Sequence, residues 1–335
     1  MKKIKVGICY DTSADYGMQY QDADFTDFAD LITVSEIKKS LEFFGFETQL
    51  IGNFRSLNNL IINKTFDCDI VFNIAEGFKS RNREGLIPAL LEINQIKHTA
   101  SDAYAMSLSL NKYHTKLVAK ALGINTPKDY LLTYGVTTLD YSKIKELKLP
   151  LILKPNCEGG SMGVVFVEHY EDLEFEIKKL FEKYQEDILC EEYINGAEVT
   201  VPLLGNEDVR ALGIVTILSK TCGNVDVYDN FRKLEPDYEG DTYCTTSVKY
   251  SKKIEETLID DSIKIFKHLK LFDYSRMDFK VTNEGIPYFL EINPMPALCR
   301  NDSYEICGKD LGLNYSDIIY EILNSALRRY GISVK

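Results

Sequence analysis

The residues best suited to chemistry in this chain lie in two short segments near its C-terminal end. Ser275-Arg276-Met277-Asp278-Phe279 carries an arginine and a carboxylate. Phe289-Leu290-Glu291-Ile292-Asn293 carries a second carboxylate and an amide. Met277, Phe279 and Val281 alternate with polar residues, as strand residues do, and Phe289 and Ile292 are expected to alternate around polar neighbours in the same way. Between the segments Thr282-Asn283-Glu284-Gly285 is a turn signal, so the pair predicts a hairpin. Glu291 and Asn293, two apart, share a face, and Asp278 on the paired strand can meet them. Two carboxylates and an amide beside an arginine suit magnesium shared with phosphates, because that ion prefers few protein oxygens plus phosphate oxygens. A hairpin with acids facing water is the ordinary reading of the same residues.

Further elements supply partners for such a site. Ile152-Leu153-Lys154-Pro155 is an apolar strand that ends at a lysine, followed by Asn156-Cys157-Glu158-Gly159-Gly160-Ser161-Met162-Gly163 and a second apolar strand, residues 164–167. A glycine-rich loop lets backbone N–H groups approach phosphate oxygens, and Lys154 adds a point charge. An ordinary hairpin loop would carry glycines too. Ile188-Leu189-Cys190-Glu191-Glu192-Tyr193-Ile194 is another strand, turning polar before Asn195-Gly196 and Glu198. Glu191, Tyr193 and Ile194 could form an adenine slot, and Glu198 could bind ribose hydroxyls.

The order of these features resembles the ATP-grasp superfamily, and within it the D-alanine–D-alanine ligases. The likeness runs from about Asp69 to the C-terminus and more weakly through the first strand and helix. It implies that Lys112 and Lys154 are the nucleotide lysines and that Glu158, Gly159, Gly160, Ser161 and Gly163 form the loop that closes on the phosphates. Glu191, Tyr193, Ile194 and Glu198 match the adenine and ribose residues. Asp278, Glu291 and Asn293 match the metal ligands, Arg276 the arginine that stabilises the tetrahedral intermediate, and Lys233 a phosphate lysine on a mobile loop at 220–247. The cofactors implied are ATP and magnesium, two ions, with manganese able to substitute.

The departures from that family fall on the amino-acid side. Glu76 stands where the ligases have a histidine, and a basic stretch at 78–83, with Arg81 and Arg83, follows. The N-terminal glutamate has no clean match, although Asp27 and Asp30 lie nearby. Leu234 replaces a tyrosine, Ala297 a glycine, and Asp302, next to Ser303, a serine. Glu76 suits an ammonium group. Arg81 and Arg83 could hold a carboxylate or could be solvated. The reading is an ATP-dependent carboxylate–amine ligase, acting through an acyl phosphate, with a divergent substrate pocket. Three alternatives stay open: a true D-alanine–D-alanine ligase, a small-molecule kinase, and a non-catalytic nucleotide-binding regulator.

Bulk properties agree with an enzyme of small molecules such as amino acids. The net charge of -12 argues against nucleic acid, whose binding rests on neutralising phosphates. Eight cysteines show no C-x-x-C pair, and four histidines sit at no ligand spacing, which argues against zinc. Cys157 and Cys299 are read as structural rather than reactive. Nothing approaches the ~18 apolar residues of a membrane span, so no membrane role and a cytoplasmic location are expected, with room for a homodimer.

The expected fold is α/β, α+β in the C-terminal part: a three-domain ATP-grasp ligase. Strands at 4–10, 47–51 and 69–73 alternate with helices at 31–44 and 57–63, which predicts a parallel sheet in a first domain over 1–109. A central subdomain spans 110–187 and a C-terminal one, with the metal site, 188–335. The last helix, 315–330, shows an apolar stripe that faces a core.

Overall fold

The computed structural model describes residues 3–17, 30–136, 141–219 and 242–333. At the N-terminal end β1 (Lys5–Cys9), β2 (Glu47–Gly52) and β3 (Ile70–Asn73) form a parallel sheet in the order β2-β1-β3. Both faces of β1 are covered, which is why its residues read as a continuous apolar run. Val6 and Ile8 pack towards α1 (Leu31–Phe43), and Cys9 and Val71 pack towards α2 (Phe54–Ile62) and α3 (Leu86–Ile93). Asn53 caps α2, accepting hydrogen bonds from the Arg55 and Ser56 amides, so this helix starts earlier than the expected Leu57. A 3-10 turn, Arg83–Gly85, leads into α3, and α4 (Ala103–Leu110) and α5 (Lys112–Ala121) follow.

The central part contains β4 (Asp129–Leu132), the short α6 (Tyr141–Ile144), β5 (Leu151–Pro155), β6 (Val165–Val167), α7 (Leu173–Tyr184) and β7 (Ile188–Glu192). Its strands form an antiparallel sheet in the order β4-β7-β5-β6. Leu151, Leu153, Ile188 and Cys190 point into a core with Leu173, Ile177 and Leu180 of α7. By alternation Ile152, Lys154 and Glu191 take the opposite face.

The C-terminal part contains β8 (Gly196–Leu204), β9 (Arg210–Ala211), β10 (Val215–Ser219), β11 (Thr242–Thr245), α8 (Lys252–Leu269), β12 (Tyr274–Thr282), β13 (Pro287–Asn293), α9 (Ser303–Asp310) and α10 (Tyr315–Arg329). The sheet is antiparallel, in the order β11-β10-β8-β12-β13 with β9 beside β8. Val199, Val201, Met277, Phe279 and Val281 face α8, packing on Leu258, Ile265 and Phe266. The same alternation leaves Glu198, Thr200, Arg276, Asp278 and Lys280 on the other face.

Two elements near the expected domain boundaries join neighbouring cores. Strand 188–192, placed in the C-terminal subdomain, pairs with β4 and β5 and belongs to the central sheet. The helix at 112–121, placed in the central subdomain, buries Ala119 in the core of the C-terminal sheet, and the Phe289 amide donates to Asn125 O. The expected stripe on the last helix does face a core, though a distant one in sequence: Ile318, Ile322 and Leu323 pack with Val6, Ile8 and Ile37. The chain's end therefore covers one face of its first sheet.

Candidate active site

The hairpin of β12 and β13 sets Arg276 opposite Asn293 and Asp278 opposite Glu291. Between Asp278 and Phe279 the register slips, so Leu290 is the extra residue of a bulge. The slip explains how Phe289 and Ile292, three apart, are both buried. Asp278 is held on every side. Its Oδ1 accepts from Thr200 Oγ1 at 2.6 Å and Arg276 Nε at 3.0 Å, and its Oδ2 from Asn293 Nδ2 at 2.8 Å and an Arg276 guanidinium nitrogen at 3.1 Å. Burial disfavours the Glu291 charge, but Lys112, Lys154, Lys116 and Arg276 outweigh it and hold the carboxyl at about 2.

Three lysines meet these acids. Lys112 opens α5, which Asn111 caps by accepting from the His114 amide. Asn156, just after β5, ties that helix start down: its O accepts from the Lys112 amide at 3.0 Å and its Oδ1 from the Tyr113 amide at 2.9 Å. Lys112 Nζ then lies 3.4 Å from Glu291 and donates to the Glu158 carbonyl. Glu191 stands between the other two, 3.2 Å from Lys154 Nζ and 2.8 Å from Lys116 Nζ. Lys116 is fully buried, and burial takes its pKa down to about 8 against the pull of Glu191. Burial also opposes the charge on Lys154, yet Glu191, Glu291 and Glu198 raise its pKa.

Lys112, Lys154, Glu191 and Glu291 border a slot of about 140 Å³ between the central and C-terminal sheets. Ile152, Val164, Phe166, Tyr193, Ile194 and Leu290 give it apolar walls, with Phe166 edge-on to Tyr193 at 5.2 Å. Glu198 reaches it and lies 3.6 Å from Lys280. The loop 158–163 closes one end. Gly163 has φ +68°, and a Cβ there would stand 2.6 Å from Tyr184 and 2.7 Å from Pro155, so glycine alone fits.

The expected nucleotide and metal residues that are described thus lie together. Lys233 and Asp27 lie outside the described residues, as does most of the expected lid at 220–247. Glu191, expected at the adenine, has its carboxylate paired with Lys154 and Lys116. The substrate candidates separate. Asp11, at the end of β1, accepts from the amides of Glu76 and Gly77 at 3.0 and 2.7 Å and fixes that turn. Arg83 is buried and donates to Cys157 O, while Arg81 is exposed. Asp302 caps α9 through the amide of Ser303, whose hydroxyl is buried. Asp30 caps α1. Burial pushes the Cys157 thiol up to about 12 and Cys299 to about 11, which keeps both protonated near neutral pH. Lys116, Lys280, Thr200 and Asp11 were not singled out by sequence. Lys280 could have been, since it lies two residues from Asp278 on the same strand face.

Among the described residues no three His, Cys, Asp or Glu side chains converge as a metal cage. A metal here would rest on two carboxylates and an amide, completed by phosphate oxygens, a set that fits magnesium. No described helix is long and apolar enough to cross a membrane.

Comparison with known proteins agrees with this arrangement. Residues 118–324 match the family described as D-ala D-ala ligase C-terminus. The D-alanine–D-alanine ligase of Aquifex aeolicus is 34% identical over 242 residues, 72% of this chain and 77% of that protein. Two solved structures share the fold. The Bacillus anthracis D-alanine–D-alanine ligase complexed with ATP has a TM-score of 0.79 at 22% identity, covering 99% of each chain. The VanG D-Ala:D-Ser ligase of Enterococcus faecalis has 0.76 at 18%, covering 97% of this chain and all of that one. The fold and these matches define an ATP-grasp enzyme, an ATP-dependent ligase that forms ADP and an amide bond. The chain belongs to the D-alanine–D-alanine ligase family.

Proposed function

We propose that ATP lies in the slot between the two antiparallel sheets and that the γ-phosphate is transferred beside Arg276, Asp278 and Glu291. The observation that carries this reading is that Lys112, Lys154 and Glu291 line one apolar slot, while Asp278, bonded to Arg276 and Asn293, pairs with Glu291 across the hairpin. Ile152, Phe166, Tyr193, Ile194 and Leu290 would sandwich the adenine, and Glu198 would accept from ribose hydroxyls. Asp278, Glu291 and Asn293 would hold magnesium, two ions with manganese able to substitute, which supplies positive charge to phosphate oxygens.

A substrate carboxylate attacks the γ-phosphate and gives an acyl phosphate and ADP. An amine then attacks the acyl carbon and expels phosphate. Lys112 and Lys154 offset phosphate charge, and Lys233 is assigned the same task. Arg276, fixed by its fork with Asp278, faces the oxyanion of the second step; removal of one such donor costs about 3–4 kcal/mol. Loop 158–163 excludes water that would hydrolyse the acyl phosphate. The slot is smaller than the about 300–1,000 Å³ usual for ligand sites, so the loop lifts to admit ATP. The substrates are small amino acids or similar amines and acids.

The test is titration of a non-hydrolysable ATP analogue into wild type, Lys154→Ala and Lys112→Ala. Each loss should weaken binding at least about tenfold, roughly 1.4 kcal/mol. Unchanged affinity in both variants would remove the nucleotide from this slot.

A further inference from the structure

On the far side of loop 158–163 lies a second, larger cleft of about 840 Å³. Glu158 and Met162 line both openings, so the cleft adjoins the slot. One wall is the segment 77–83; the other is the corner where α7 turns into β7, residues 183–187. Its volume suits a small-molecule site and far exceeds what alanine requires.

The charges in this cleft are used unequally. Its acids face the protein's own donors. Asp187 accepts from the Tyr134 amide at 2.9 Å and Glu186 from the Cys157 amide at 3.1 Å. Glu158 lies 3.8 Å from Arg83, which donates to Cys157 O and is itself 3.8 Å from Glu84. Lys79 and Arg81 are different. Both are exposed, and among the described residues neither has an ion-pair partner. The Lys79 ammonium sits over the Phe78 ring, 5.0 Å from its centre. Arg81 and Cys157 line the same cleft.

We propose that this cleft binds a carboxylate that one substrate carries in addition to its reacting groups, with Arg81 and Lys79 as the cations. The inference rests on the ligase reading and specifies its substrate class: an amino acid with an acidic side chain, or a short peptide with a free C-terminal carboxylate. Arg81 offers a planar fork matched to a carboxylate, and Lys79 a mobile point charge. An amide of the same shape accepts hydrogen bonds but carries no charge for them to meet.

Calorimetric titrations separate these ideas. They use the full chain with a non-hydrolysable ATP analogue and magnesium. Aspartate and glutamate of both hands and alanyl dipeptides are compared with asparagine, glutamine, amidated dipeptides and D-alanine. At least one acid should bind roughly tenfold tighter than its amide, the effect of one charge-assisted contact. The ratio should fall close to one in Arg81→Ala and largely persist in Arg81→Lys, while analogue affinity stays unchanged. A preference for free amino acids identifies a side-chain carboxylate, and one for the dipeptide a C-terminal carboxylate. Equal binding of every acid and its amide, or a ratio that survives both Arg81→Ala and Lys79→Ala, overturns the proposal. ADP release run in parallel keeps the two readings apart. Release without any acid preference removes the subsite and leaves the ligase. Acid preference in binding without release from any pair leaves the subsite and removes the ligase.

Discussion

Glu191 is the negative charge on which two buried lysines depend, and Glu191→Gln removes that charge at nearly constant shape. The two ion pairs, at 2.8 and 3.2 Å, have gross attractions of about 6 and 5 kcal/mol at an effective dielectric constant of about 20. Desolvation of all three groups offsets most of this. What remains after one partner is removed is the cost of uncompensated buried charge, about 3–5 kcal/mol. Part of that cost is avoided by Lys116, whose pKa of about 8 lets it release its proton more readily than an exposed lysine. The expected loss is therefore about 3 kcal/mol, a large share of the about 5–15 kcal/mol typical of a folded protein. At an m-value of about 3 kcal/mol/M the urea midpoint should fall by about 1 M. Lys116→Met should cost less, since Glu191 keeps Lys154. A Glu191→Gln midpoint within about 0.3 M of wild type, below 1 kcal/mol on that slope, would refute the account of Glu191 as the shared counter-charge.

Three further expectations follow from other residues. Burial raises the Glu186 carboxyl from 4.5 to about 7, so the fold favours its neutral form: its contribution is fully present below pH 4.5 and lost as pH rises through 7. Urea unfolding at pH 5 and pH 8 should show Glu186→Gln gaining stability relative to wild type only at the higher pH; equal differences at both would contradict the assignment. Gly163→Ala should destabilise by about 2–4 kcal/mol, combining left-handed backbone with overlap onto Tyr184 and Pro155, and should depress turnover by misplacing the loop. Normal thermal stability and turnover in that variant would show that the loop relaxes freely. Arg276→Ala should slow amide formation at least about a hundredfold, read as product per unit time at saturating ATP; a change under about tenfold would place the oxyanion elsewhere.

Much of this arrangement is legible in the sequence because the site lies on alternating strand faces. Period two along Met277, Phe279 and Val281 predicts the buried face of β12, and hence the polar face with Arg276 and Asp278. The lysine near the end of β5 and the glycines after it are local signals of the same kind. What escaped is non-local. Nothing near Ile188 announces that its strand inserts between β4 and β5, and β4 itself is a short, weakly patterned strand. Lys116 reads as an ordinary helix lysine until Glu191 arrives from seventy-five positions on. Its spacing from Lys112, one helical turn, was the available clue. The bulge at Leu290 had a signal too, since apolar residues three apart cannot share a face on a regular strand. The basic stretch at 78–83 gave composition without placement: burial splits it, with Arg83 tied to Cys157 and Arg81 turned to the cleft.

The central claim, that this chain joins a carboxylate to an amine through the Asp278–Glu291 site, is tested by ADP release from purified protein with ATP, magnesium and pairs of D- and L-amino acids. Wild type should release ADP and phosphate at a rate that depends on the amine, with an equivalent of amide product. Asp278→Asn and Glu291→Gln should abolish release while retaining wild-type circular dichroism. Either variant keeping more than about a tenth of the rate, a loss of only about 1.4 kcal/mol, would contradict the site assignment. ADP release indifferent to the amine would contradict the ligase and leave a kinase.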